Sequence, residues 1–138
     1  MTTVRVTRMI PSPPEKLWGI LRSFRLDYFP GYPHTVTGEG PGTERSFKVP
    51  GGPMAERITA LDDDAMSLSY EISVNPWPVT DYLATITVSP AEDGAEVAWS
   101  ADFEPVGAEE AAIDIVDASF GWVIPAATSF DVLDERGR

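Results

Sequence analysis

The stretch "MAERITALDDDAMSLSYEISV" (Met54 to Val74) decides the fold. Its second half alternates: Leu68, Tyr70, Ile72 and Val74 share one side of a strand, and Ser67, Ser69, Glu71 and Ser73 the other. The first half, 54–61, also reads as a strand, and "DDDA" between them reads as a turn. Strands joined so briefly must run antiparallel, because a parallel crossover needs about a dozen residues or more. One residue breaks the pattern. Glu56 has the parity of Met54 and Ile58, which puts a carboxylate on the apolar side.

The alternation extends in both directions. Further strands are predicted near 3–10, 35–40, 43–49, 80–89 and 95–104, separated by "PG", "PGGP", "NPWP" and "AEDG". In "SPPEKLWGILRSF", Leu17, Trp18, Leu21 and Phe24 recur at helical spacing, with Ser12 and Glu15 placed to cap the start. "RLDYFPGYPH" allows a short second helix and a loop. The last segment, from Gly107 on, is helical, with Ile113, Val116, Phe120, Val123 and Ala127 as its main apolar stripe. Pro125 predicts a kink or break near Gly121.

The fold class is therefore α+β in a single domain over 1–138. About seven antiparallel strands form a curved sheet with one apolar face. The C-terminal helix is the element long enough to cover it.

The inner face follows from parity. Tyr82, Ala84, Ile86 and Val88 share it with Val97, Trp99, Ala101 and Phe103. Tyr70, Tyr82 and Trp99 bring polar tips that need partners when buried. A Gly51-Gly52 turn would set Phe47 opposite Glu56 and Arg45 opposite Ile58, leaving Arg45 and Glu56 as diagonal neighbours on that face. Such a pair has three readings: a structural ion pair, an anchor for a ligand's polar group, or a general acid/base tuned by its neighbour.

Composition removes several function classes. A formal charge of −12, with 10 basic against 22 acidic residues, opposes nucleic acid and anionic membrane surfaces. No cysteine is present, which excludes disulfides and thiolate chemistry. His34 is the single histidine, so His-rich metal sites and His-His proton relays are excluded as well. No apolar run approaches ~20 residues and no signal-peptide core opens the chain, so a soluble cytoplasmic protein is expected. "DDD" at 62–64 lacks the glycine and distant glutamate of a calcium loop, and no metal is expected.

The ordered set "IPSPPEKLWGILRSF", "GPGTERSFKV", "GGPMAERITALDDDAMSLSYEI", "NPWPVTDYLATITVSP" and "EVAWSADFEP", followed by a terminal helix, resembles the SRPBCC superfamily. These are START-like, Bet v 1-like helix-grip proteins, and the likeness is to the bacterial polyketide cyclase/dehydrase branch. It implies two short N-terminal helices and a long C-terminal helix closing a cavity over the sheet. It also implies a hydrophobic or amphipathic small-molecule ligand and no cofactor. Some members cyclise, aromatise or dehydrate that ligand, whereas others bind or carry it. The polar end "DERGR" departs from the family's usual aliphatic terminus.

Under that resemblance Glu56 and Arg45 are the candidate catalytic residues. Phe47, Ile58, Tyr70, Tyr82, Trp99, Phe103, Val116 and Phe120 would line the cavity, with Tyr28, Tyr32, His34 and Trp77 at its mouth. Each has a plainer reading as core or as a solvated loop residue. Ile115, Trp122 and Leu133 lie opposite the main helical stripe, a second apolar face suited to a homodimer contact or a protein-interaction surface.

Overall fold

The structure is a computed structural model describing residues 1–23, 34–49 and 51–127, with the side chains of His34, Val49 and 119–127 outside that description. Seven strands form one antiparallel sheet in the order β1-β7-β6-β5-β4-β3-β2. They are β1 (Thr2–Ile10), β2 (His34–Thr37), β3 (Glu44–Val49), β4 (Gly52–Asp62), β5 (Ser67–Val74), β6 (Val79–Ala91) and β7 (Gly94–Pro105). From β2 to β7 each strand pairs with the next in sequence, and β1 closes the order by pairing with β7, Thr2 opposite Phe103 and Ile10 opposite Ala95. Helix α1 (Pro14–Arg22) packs against β6 and β7, and α2 (Glu109–Ala127) against β1 and β7. The second N-terminal helix expected between 25 and 33 lies outside the described residues.

Alternation put the core where the structure has it. Leu68, Tyr70, Ala84, Ile86, Val88, Val97, Trp99, Ala101 and Phe103 are buried, capped by Leu17, Trp18, Ile20 and Leu21 of α1 and by Ala112 and Val116 of α2. The outer face is polar. Ser67 and Ser69 of β5 stand within hydrogen-bond distance of Thr87 and Thr85 of β6, and Arg57 bridges to Glu71.

Two bulges re-aim side chains. Between Ile58 and Ala60 the register of β4 slips by one, which turns Leu61 to the side of its partner Leu68. Between Thr80 and Leu83, Asp81 takes φ 53° and the strand gains a residue, so Val79 and Tyr82 are both buried although their parities differ.

Several expectations are corrected. Val49 pairs with Gly52, so the β3–β4 connection sits one position earlier than a Gly51-Gly52 turn; Arg45 then faces Glu56 directly and Phe47 faces Met54. The slip moves each partner by two residues and preserves parity, so the faces stand. Val74 is exposed, not inward: β5 is irregular between Ile72 and Val74, and Val74 ends the strand. Strand β2 stops at Thr37, because Gly38 turns the chain with φ 98°. Ser12 does not cap α1. Pro13 holds the cap position, and the buried Ser12 hydroxyl makes no hydrogen bond among the described residues. Finally, α2 runs through Pro125 to Ala127. The break expected near Gly121 is therefore absent, and the proline costs the helix one backbone hydrogen bond.

Candidate functional site

The misplaced carboxylate has a partner. Arg45 on β3 donates through Nε to Glu56 Oε1 on β4 at 2.7 Å, and both residues are buried. The Arg45 guanidinium also lies 5.9 Å from the centroid of the Phe47 ring and 5.6 Å from that of Tyr70. The sequence builds this locally: short antiparallel strands set the two charges opposite each other, and the next inward positions supply the aromatic rings.

From this pair a chain of polar tips crosses the sheet. Tyr70 on β5 accepts a hydrogen bond from Trp99 Nε1 on β7 at 2.9 Å. Its ring lies 6.5 Å from that of Tyr82 on β6. Tyr82 stacks on Phe103 at 6.2 Å and meets the edge of Trp77 at 6.4 Å. Burial pushes the Tyr82 phenol well above its ordinary value, helped by the neighbouring Tyr70 and Glu56, by hydrogen bonding with Tyr70, and opposed by Arg45. Tyr82 therefore stays protonated at ordinary pH and serves as a neutral hydrogen-bonding group.

The inner wall thus combines one ion pair, two phenols and an indole with apolar surface. It therefore presents aromatic surface beside one charged, hydrogen-bonding pair. Among the described residues no cluster of three His, Asp or Glu could hold a metal. No helix of the described residues is long and apolar enough to cross a membrane.

Residues 1–123 match the family described as polyketide cyclase/dehydrase and lipid transport. The chain belongs to that family. Among solved structures it is similar to XoxI from Bacillus cereus, at 28% identity and a TM-score of 0.82, with 98% of each chain covered. It is similar in fold to norcoclaurine synthase from Thalictrum flavum, solved as a point mutant with a transition-state analogue, at 17% identity and a TM-score of 0.74, covering 99% of this chain and 96% of that one. It is likewise similar in fold to Ara h 8.0201, at 19% identity and a TM-score of 0.73, covering 96% of this chain and 98% of that one. A comparison with curated proteins finds no match. The sheet of this cyclase/dehydrase-family chain is accordingly Bet v 1-like, as its strand and helix order already implied.

Of the residues singled out in sequence, the family fold brings Arg45, Glu56, Phe47, Ile58, Tyr70, Tyr82, Trp99, Phe103 and Trp77 to the inner wall or against the core, and Val116 into the core. His34 begins β2 opposite Phe47. Its side chain, that of Phe120, and residues Tyr28 and Tyr32 lie outside the described residues, as do the Trp122 side chain and Leu133 of the second helical face. Ile115 of that face is partly exposed.

Sequence reasoning missed Asn75. Its side-chain nitrogen donates to the Val79 carbonyl at 2.7 Å and its oxygen accepts from the Trp77 backbone at 2.8 Å, which fixes the loop presenting Trp77 to Tyr82. An asparagine heading a Pro-x-Pro turn was the available signal. The acidic turn also does more than turn: Asp63 accepts from Trp18 Nε1 at 2.9 Å and Arg22 Nε at 2.7 Å, tying α1 to the β4–β5 connection.

Proposed function

We propose that this family member binds a hydrophobic or amphipathic small molecule between the inner sheet face and the C-terminal helix, with Arg45 and Glu56 holding its polar end. The buried Arg45–Glu56 pair carries this reading. A buried ion pair adds little net stability, because desolvation offsets the attraction. Two charges kept among aromatic side chains are better suited to recognising a ligand oxygen than to holding the sheet together. Native mass spectrometry of protein isolated from its own producer should find a co-purified organic molecule. Consistently empty protein that binds no apolar probe would overturn the reading.

The neighbourhood of Glu56 favours a second reading, with chemistry at the same site. A ketone accepting from the Arg45 guanidinium places its adjacent C–H toward Glu56. Glu56 takes that proton to become the neutral acid, the C–H electrons form an enolate, and Arg45 balances the charge on its oxygen. In cyclisation the enolate carbon bonds to a second carbonyl carbon of the same molecule, whose oxygen takes the proton from Glu56; in dehydration the enolate expels a β-hydroxyl, which takes that proton and leaves as water. Glu56→Gln separates the two: retained binding with lost turnover assigns catalysis, whereas unchanged behaviour toward the co-purified ligand assigns carriage.

A further inference from the structure

Building on the binding reading, we infer that Tyr82 is a specificity determinant whose oxygen accepts from a ligand hydroxyl at the end away from Arg45 and Glu56. The backbone is shaped around this residue. Thr80 pairs with Glu104 and Leu83 with Asp102, so Asp81 and Tyr82 together oppose the single residue Phe103. Asp81 absorbs the extra residue at φ 53°, a left-handed value that residues other than glycine rarely take. Bulges of this kind re-aim side chains, and here Val79 and Tyr82 both point inward. Three rings then hold the Tyr82 ring: Phe103 stacked at 6.2 Å, Trp77 edge-on at 6.4 Å and Tyr70 at 6.5 Å. The Trp77 loop is itself fixed, by Asn75 and by the Val79 nitrogen donating to the Trp77 carbonyl at 2.8 Å. A ring clamped in this way keeps its hydroxyl in one place, as a recognition group must.

The chemistry of that hydroxyl selects its partner. Burial keeps the phenol protonated, and its hydrogen bond with Tyr70 favours the protonated form, as it does where Tyr82 donates. A phenol that donates still accepts, so its oxygen takes a ligand O–H. A ligand carboxylate or ketone brings no proton to that oxygen, and a hydroxyl is the group that matches. Glu56 on β4 and Tyr82 on β6 stand two strands apart in the sheet. That is roughly 9–10 Å between backbones, a span suited to a two-ring molecule with an oxygen at each end. The rings of Trp77, Tyr82 and Phe103 favour a planar framework between those ends.

The test is calorimetric titration at neutral pH with 2-naphthol and 2,6-dihydroxynaphthalene, which share a ring system and differ by one hydroxyl. Unmet, the added hydroxyl loses hydration and weakens binding; met by Tyr82, it should tighten binding at least about fivefold. Tyr82→Phe keeps the stacked ring and should erase that gain while leaving 2-naphthol affinity within about twofold. Equal wild-type affinities, weaker binding of the diol, or an unchanged gain in folded Tyr82→Phe overturns the inference and leaves small-molecule binding standing. If neither probe binds, both readings fall. Should Tyr82→Phe not fold, the wild-type ratio decides: a gain of about fivefold or more supports the inference, and a ratio near one sinks it.

Discussion

Arg45 and Glu56 stand directly opposite each other on β3 and β4, joined by a 2.7 Å hydrogen bond inside the sheet's apolar face. Removing either partner breaks a buried, hydrogen-bonded ion pair. Arg45→Met and Glu56→Leu should each destabilise by about 3–5 kcal/mol, whereas the double substitution should cost clearly less than their sum. Urea unfolding of all four proteins measures this. Additive losses would show that the two residues act independently. Under the proposed function the double variant should also lose small-molecule binding, which separates the site's role in recognition from its role in stability.

Two glycines should respond in opposite directions to alanine. A Cβ on Gly94 would lie 2.1 Å from the Ile10 carbonyl oxygen and 2.9 Å from the Ser12 nitrogen, both backbone atoms that cannot swing aside. Gly94→Ala should cost at least about 2 kcal/mol. Gly19 sits in α1 with nothing within 4 Å of an added Cβ, and Gly19→Ala should stabilise by about 0.5–1 kcal/mol. Thermal melts that show the same sign for both would contradict this packing.

Asp63 predicts an acid sensitivity. Hydrogen bonds from Trp18 and then Arg22 hold its carboxyl below the ordinary value of 3.8. Because the folded value is depressed, the contribution to stability is complete above the unfolded value and is lost as pH falls through the folded one. Asp63→Asn should therefore flatten the fall of Tm between about pH 5 and 2. A variant whose profile parallels wild type across that range would remove Asp63 from the account.

Asp81 holds a left-handed backbone, φ 53°, inside the bulge that turns Tyr82 inward. Asp81→Gly relieves that strain and should stabilise by about 0.5–1 kcal/mol with the bulge intact. Tyr82 would remain buried, so spectrophotometric titration should still find its phenol raised. A Tyr82 that ionises normally in the glycine variant would show that aspartate itself sets the strand's turn.

Much of the site was legible in the chain because strand parity survives errors of register. The β3–β4 pairing differs from the expected one by two residues, yet Arg45, Phe47, Glu56 and Ile58 still share a face. Where parity itself changes, at the bulges before Ala60 and Tyr82 and at the end of β5, sequence patterning loses track. It correctly placed Tyr82 inward by counting from the residues after the bulge. It placed Val74 wrongly by counting through one.

By itself the sequence determined the strands, their antiparallel run, the helix at each end and the presence of a charge on the buried side. These follow from short-range alternation, turn residues and helical spacing, all written within a few residues of one another. Only the tertiary structure decided that β1 pairs with β7, that Arg45 meets Glu56 head-on, that Trp99 donates to Tyr70 and that Asp63 ties down α1. Trp99 and Tyr70 are 29 residues apart, and Trp18 and Asp63 are 45 apart. Contacts over such spans depend on sheet order, register and bulge position together, and no local pattern encodes all three.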